Sequence, residues 1–377
     1  MRLLKLVAVA ACIIALSAAP APAAGTIKVG AVLAVTGPAS FLGAPEAKTL
    51  EMLVEDINAK GGINGSKIEL VIKDSGASPE KAISFTKQLI EEEKVFAILG
   101  PSTSGETMAI KNIAEEGKTI LISCAAAEVI VNPVAKYVFK TPQMDKHAVI
   151  SIFNQMKKSG ISKIGVLSSN TGFGKAGKEQ IEKLAPEHGI KILVNEVYDK
   201  AATDLTAEVT KVKAANVQAI VNWSIEPAQA IVIKNARQIG MTVPIFQSHG
   251  FGNINYVKAA GAAAEGVIFP AGRLLVADSL PAKNPQKSLL VDYKKKYEAK
   301  YKEDVSTFGG HAYDAMKILE QAMRAAGPGA DKEKVRTTIE NMKGLVGTAG
   351  IFNFSPTDHN GLDLSAFEML TVKDGKF

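Results

Sequence analysis

Short apolar runs alternate with amphipathic stretches along most of the chain. The runs Ile27–Leu33, Ile68–Lys73, Val95–Leu99, Ile120–Ser123, Lys163–Ser168, Ile190–Val197, Ala219–Trp223, Pro244–Gln247 and Gly266–Pro270 have the length and β-branched content of buried strands. Between them, apolar residues recur at helical spacing over Phe41–Ala59, Pro79–Glu92, Glu106–Glu116, Lys146–Ser159, Gly174–Ala185, Leu205–Ala214 and Pro227–Ile239. This order predicts an α/β protein with parallel sheets and helices on both faces. Ligands of such sheets sit outside the carboxyl ends of the strands.

The alternation falls into two blocks, about 26–143 and about 146–270. A third block is mostly helical, with Lys287–Tyr301, Gly310–Ala326 and Lys332–Asn341, and ends in two strand-like runs, Gly350–Phe354 and Phe367–Val372. Asp374-Gly375 predicts a final hairpin turn. Helices without strands of their own must pack on an existing sheet, so the third block is expected to return to the first lobe. The expected division is a leader at 1–24, a first lobe of 25–143 plus 273–350, and a second lobe of 144–272 plus 351–377. A chain that crosses between lobes more than once makes a hinge.

The stretch Ala97–Ala109 concentrates candidate chemistry. An apolar strand stops at Gly100-Pro101, three hydroxyl residues follow, Ser102, Thr103 and Ser104, and a helical pattern begins. The first amides of a helix lack partners and its macrodipole favours negative charge, so such a loop can hold a carboxylate without a charged side chain. The alternative is a simple N-cap cluster.

Composition narrows the class. The chain has 377 residues, 47% hydrophobic and 22% charged, with a formal charge of +6. Arg2 and Lys5 lie in the leader, and the remaining charges are dispersed, which is no nucleic-acid footprint. Residues 1–24 combine a basic start, an apolar run from Leu6 to Leu16 and Ala21-Pro22-Ala23, which predicts a cleaved signal peptide and a periplasmic protein. A lipoprotein signal ending at Cys12 is the weaker alternative, since cleavage there would leave an apolar N-terminus. Removal of the leader leaves Cys124 as the single cysteine, with no intramolecular disulfide. His147, His188, His249, His311 and His359 are scattered, and no metal-ligand spacing, nucleophile elbow or phosphate loop is present. No cofactor, no metal and no enzyme activity are expected. Asp145-Lys146-His147 reads as a charged helix start.

Several spaced motifs resemble one family: IKVGAVLAVTGPASFLG at 27–43, INAKGGINGSKIELVIKDSGASP at 57–79, ILGPSTSGETMA at 98–109, LIS at 121–123, YVFKTP at 137–142, IGVLSSNTGFGKAG at 164–177, AEGVIFP at 264–270 and HAYDA at 311–315. The chain is similar, over its whole mature length, to the branched-chain amino-acid-type periplasmic binding proteins of ABC importers. The resemblance implies two Rossmann-like lobes, three crossovers, a ligand enclosed between lobes, permease subunits as partners and a monomer.

It also implies site positions. The hydroxyl loop would take the ligand carboxylate at Ser102, with Thr103 and Ser104 beside it. The loop Cys124-Ala125-Ala126-Ala127 would supply backbone groups, although Ala127 stands where amino-acid binders have Thr. Phe173 matches a cleft aromatic that is often Tyr, and Leu42 or Phe41 matches another. Trp223 ends a strand where the cleft should be, as a stacking wall or as core. The sharpest departure is His249, beside Gly250, where amino-acid binders place an acid for the ligand ammonium. Glu226, three residues past Trp223, is a candidate replacement for that acid, and Arg273 a candidate anion partner or a solvent-facing residue. Lost Thr and lost acid, with Ser kept and aromatic walls, point to an apolar or aromatic organic acid. The alternatives are a true branched-chain amino-acid receptor and a ligand sensor without transport.

Overall fold

The apolar runs lie side by side as strands in the computed structural model, which describes residues 25–377. The expected leader, with Cys12, lies outside the described residues. Strands β1 (Thr26–Leu33), β2 (Lys67–Asp74), β3 (Ala97–Leu99), β4 (Ile120–Ser123) and β5 (Val138–Lys140) form a parallel sheet of order β2-β1-β3-β4-β5. Side chains alternate between its faces. Val29, Ala31 and Leu33 enter one core, as do Ala97, Leu99, Ile120 and Ile122. Val32, Ile98 and Leu121 enter the other. The first core is closed by α1 (Ser40–Ala59), the second by α2 (Pro79–Glu91) and α3 (Ser104–Glu116). Burial on both faces is why these strands read as continuous apolar runs.

The second sheet holds β6 (Lys163–Ser169), β7 (Lys191–Tyr198), β8 (Ala219–Trp223), β9 (Ile245–Gln247), β10 (Ile268–Ala271) and, at its edge, β13 (Glu368–Thr371), in the order β13-β10-β9-β8-β6-β7. Only β13 runs antiparallel, paired to β10. Around this sheet lie α4 (Asp145–Lys158), α5 (Gly172–Leu184), α6 (Thr206–Ala214), α7 (Ala228–Gln238) and α8 (Ile254–Ala260), the last too short to show a helical period in sequence. A hairpin turn closes the chain: Lys373 and Lys376 bridge, with Asp374 and Gly375 at φ 51° and 70°.

Helix α10 (Thr307–Ala326) lies against α1, α11 (Lys332–Glu340) joins the same core, and α9 (Lys287–Tyr301) packs with Met52 in a satellite core. The expected boundary at 350/351 falls too early. The run at 350–354 pairs as β12 (Ile351–Phe352) with β11 (Leu345–Val346), and Phe352, Phe354, Leu362 and Ala366 all enter the first lobe's core. Phe354 meets Phe139 of β5 edge-on at 6.0 Å, so the final crossing comes just before β13. Among the described residues no helix is long and apolar enough to cross a membrane.

Helix α5 approaches the second sheet through a glycine. A Cβ on Gly177 would lie 2.0 Å from Nε1 of the fully buried Trp223. Gly177→Ala is expected to destabilise the protein by about 1–3 kcal/mol, as overpacking does, read as a lower urea midpoint at unchanged slope.

Candidate functional site

Each sheet has one place where loops leave in opposite directions from adjacent strands. In the first it lies between β1 and β3, in the second between β6 and β8. Such switch points open a crevice at the strands' carboxyl ends. The two crevices face each other here. Leu42, Ser102, Ser104, Cys124, Ala125 and Ala126 line a space between the lobes from the first lobe, and Phe173, Ile225, His249 and Gly250 line it from the second. Pro142 of the first crossover, with Phe308 and His311 of α10, completes the wall. With the lobes as placed, the cavity volume is about 20 Å³.

The hydroxyl loop divides its three residues among three tasks. Helix α3 starts at Ser104, two residues before the expected Glu106, because Thr103 caps it: Thr103 Oγ1 accepts the Glu106 amide at 3.3 Å and donates to Glu106 Oε2 at 2.6 Å. Thr103 is thereby a cap, outside the space between the lobes. Ser104 lines the space, and its Oγ accepts the Ala127 amide at 3.2 Å. That bond spends Ala127, which is fully buried behind the wall. Ser102 Oγ accepts the Ala34 amide at 3.0 Å and is hydrogen-bonded to the buried Glu46 carboxyl.

On the facing side His249 opens a short turn after β9. Its ring is edge-on to Phe173 at 5.3 Å, Trp223 at 5.6 Å and Phe367 at 5.6 Å. Neither ring nitrogen has a hydrogen-bond partner among the described residues, and Asp145 Oδ1 is 3.7 Å from Nε2. Burial first, then the positive charge of Lys140, holds His249 well below the ordinary 6.5, so the imidazole is neutral. The same causes bring His311 down to about 3. Burial also pushes Lys140 down and Asp145 up, each opposed by the other's charge. Lys140 Nζ donates to the Pro142 carbonyl at 2.7 Å, within the first crossover. Among the described residues the lining therefore carries hydroxyls and neutral imidazoles, and no ionised side chain.

Other expected residues stand elsewhere. Trp223 is a second layer behind Phe173, 5.7 Å away, and not part of the wall. Of the pair Leu42 and Phe41, Leu42 faces the space, while Phe41 packs edge-on against Tyr256 in an outer groove. Glu226 accepts from Ser224 Oγ at 2.7 Å and lines a neighbouring groove with Thr103 and Thr171. Arg273 is spent at the second crossover, donating to Glu368 at 3.0 Å, the Ser365 carbonyl at 2.9 Å and Gln286 at 3.2 Å. It does not reach the site. Sequence reasoning missed Pro142, Ile225, Phe308 and His311 as lining. The YVFKTP and HAYDA motifs contain Pro142 and His311 and were the available signal.

The lobes touch across this space. Asn253 Nδ2 donates to the Phe41 carbonyl at 3.0 Å and Gln180 Nε2 to Glu128 at 2.9 Å. At the first turns of α3 and α5, Gly105 and Gly172 pass so closely that a Cβ on Gly172 would lie 2.9 Å from the Gly105 Cα.

The profile of the periplasmic binding protein family matches residues 26–376, and the chain belongs to that family. It is 28% identical over 322 residues to the leucine-, isoleucine-, valine-, threonine- and alanine-binding protein of Pseudomonas aeruginosa, covering 84% of this chain and 83% of that one. Its fold is similar to an extracellular ligand-binding receptor from Rhodopseudomonas palustris HaA2, with a TM-score of 0.88 and 28% identity over 93% of this chain and 98% of the other. It is also similar to the branched-chain amino acid transporter substrate binding protein of Streptococcus pneumoniae solved with isoleucine, with a TM-score of 0.82 and 28% identity over 93% and 97%. The expected two-lobed fold and family are thus both found.

The depressed imidazoles make a stability prediction. Folded His311 titrates at about 3 and an unfolded histidine near 6.5, so below pH 6.5 the unfolded chain binds the extra proton and folding weakens as pH falls. From pH 7 to pH 5 this one residue is expected to remove about 2 kcal/mol. Urea denaturation of His311→Gln at both pH values should show a correspondingly smaller acid loss than the parent.

Proposed function

We propose that the protein is a periplasmic receptor that encloses a small carboxylate, an apolar or aromatic organic acid, and delivers it to an ABC importer of the branched-chain amino-acid type. The single observation that carries this reading is a wall with two serine hydroxyls and the α3 N-terminus on one side and the neutral His249 on the other. Hydroxyls and a helix N-terminus suit a carboxylate. An ammonium has no anionic partner in the wall, and a buried unpaired charge costs several kcal/mol. Phe173, Phe308, Ile225 and Leu42 suit an apolar body.

A second reading, a branched-chain amino-acid receptor, is favoured by the names of the Pseudomonas and Streptococcus relatives. It requires an acid to turn toward the ligand, and Glu226 and Asp145 are the groups at hand.

The two readings separate on matched ligands. Protein unfolded, freed of ligand and refolded is scanned thermally with 4-methylpentanoate, which is leucine without its amino group, with benzoate, and with leucine, isoleucine and valine. A ligand at about 100 times its Kd adds roughly 2.7 kcal/mol, a clear Tm shift. Shifts with the acids alone are the expected result. Shifts with leucine or valine alone would establish the second reading.

A further inference from the structure

Glu46 sits on α1 directly behind the wall, fully buried, with Oε2 on Ser102 and Oε1 without a hydrogen-bond partner among the described residues. A hydroxyl has one proton and two acceptor sites. The Ala34 amide takes one acceptor site of Ser102. What the other site and the proton do depends on Glu46. An ionised carboxylate only accepts, so it draws the Ser102 proton to itself and leaves a lone pair for the ligand, which repels a carboxylate. A neutral carboxyl group donates its own proton to Ser102 and frees the Ser102 proton for a ligand oxygen.

The surroundings decide between these states. Glu106 faces Glu46 from α3, the Cys124 thiol faces it from the loop after β4, and Ser102 is its hydrogen-bond partner. None is a cation, and Lys48 on the same helix is paired with Glu303. A carboxylate with one bare buried oxygen and no counter-charge is costly. Burial first, with a further push from Glu106, carries the Glu46 carboxyl up to about 8, the Ser102 bond opposing.

We infer that Glu46 is a positioning residue, held as a neutral acid at pH 7, which turns the Ser102 hydroxyl into a proton donor and thereby selects ligands that present an oxyanion. This rests on the carboxylate reading above. It goes further in assigning selectivity to a residue that does not touch the ligand.

The test uses the mature protein and the acids of the same panel. For any acid that binds, affinity should fall by up to about tenfold from pH 7 to pH 9 as Glu46 ionises. Glu46→Gln keeps a donor toward Ser102 and cannot ionise, so it should bind at pH 7 and show no such fall. Lys140, Asp145 and Asp314 are also buried titrating groups, and the difference between parent and variant separates Glu46 from them. Independently, the Glu46 Cδ resonance in ¹³C-glutamate-labelled protein should titrate near 8 and move higher when the acid is added, as reciprocal linkage demands. A midpoint near the ordinary 4.5, or an equal loss of affinity in Glu46→Gln, overturns the inference and leaves the carboxylate reading standing. Failure of every acid to bind overturns that reading, and the inference with it.

Discussion

The hydrogen bond from the Ala34 amide to Ser102 Oγ joins the two loops that diverge from the first sheet at its switch point. Everything on the first-lobe side of the site follows from it. With Ser102 tied to the end of β1, Thr103 falls into the capping position, Ser104 into the first turn of α3, and the helix N-terminus points into the crevice. The Ala127 amide on Ser104 then draws in the next strand-end loop. A loop with no charged side chain becomes a fixed array of donors because each hydroxyl has a defined backbone partner.

The facing lobe works by exclusion. Phe173, Trp223 and Phe367 surround His249 with ring edges, and the resulting desolvation keeps its imidazole uncharged. An acid at this position would attract an ammonium at any neutral pH. A neutral imidazole offers one donor and one acceptor and no net charge. On the carboxylate reading, selectivity is then set by which charges the wall declines to balance, as much as by those it greets.

Much of this was legible in the chain itself, for a physical reason. Strands buried on both faces need unbroken apolar runs, and amphipathic helices need a 3.6-residue period, so both lobes could be laid out from pattern. Three-residue β5 and seven-residue α8 carry too few residues for a period to register. The hydroxyl loop with Ser102 and Ser104 follows a strand and stood out on that logic, whereas Phe173 and His249 were placed by the family resemblance. Phe308 lies on a helix whose apolar spacing is accounted for by core packing, so nothing local marks it as lining, and His311 on the same helix was marked only by the HAYDA motif. Arg273 and Glu226 were read as available because a sequence shows a charge without showing its partner. Glu46 was invisible for the converse reason, since a glutamate on an amphipathic helix reads as solvated until the fold buries it.

The near-contact of Gly105 and Gly172 has a consequence for timing. Both glycines lie in the first turns of helices, α3 and α5, and every helix start carries partial positive charge. Bringing the two lobes together therefore sets two like-signed ends against each other. An anion lodged between them changes the sign of that encounter. In a protein built this way the approach of the two lobes and the presence of an anion between them favour one another.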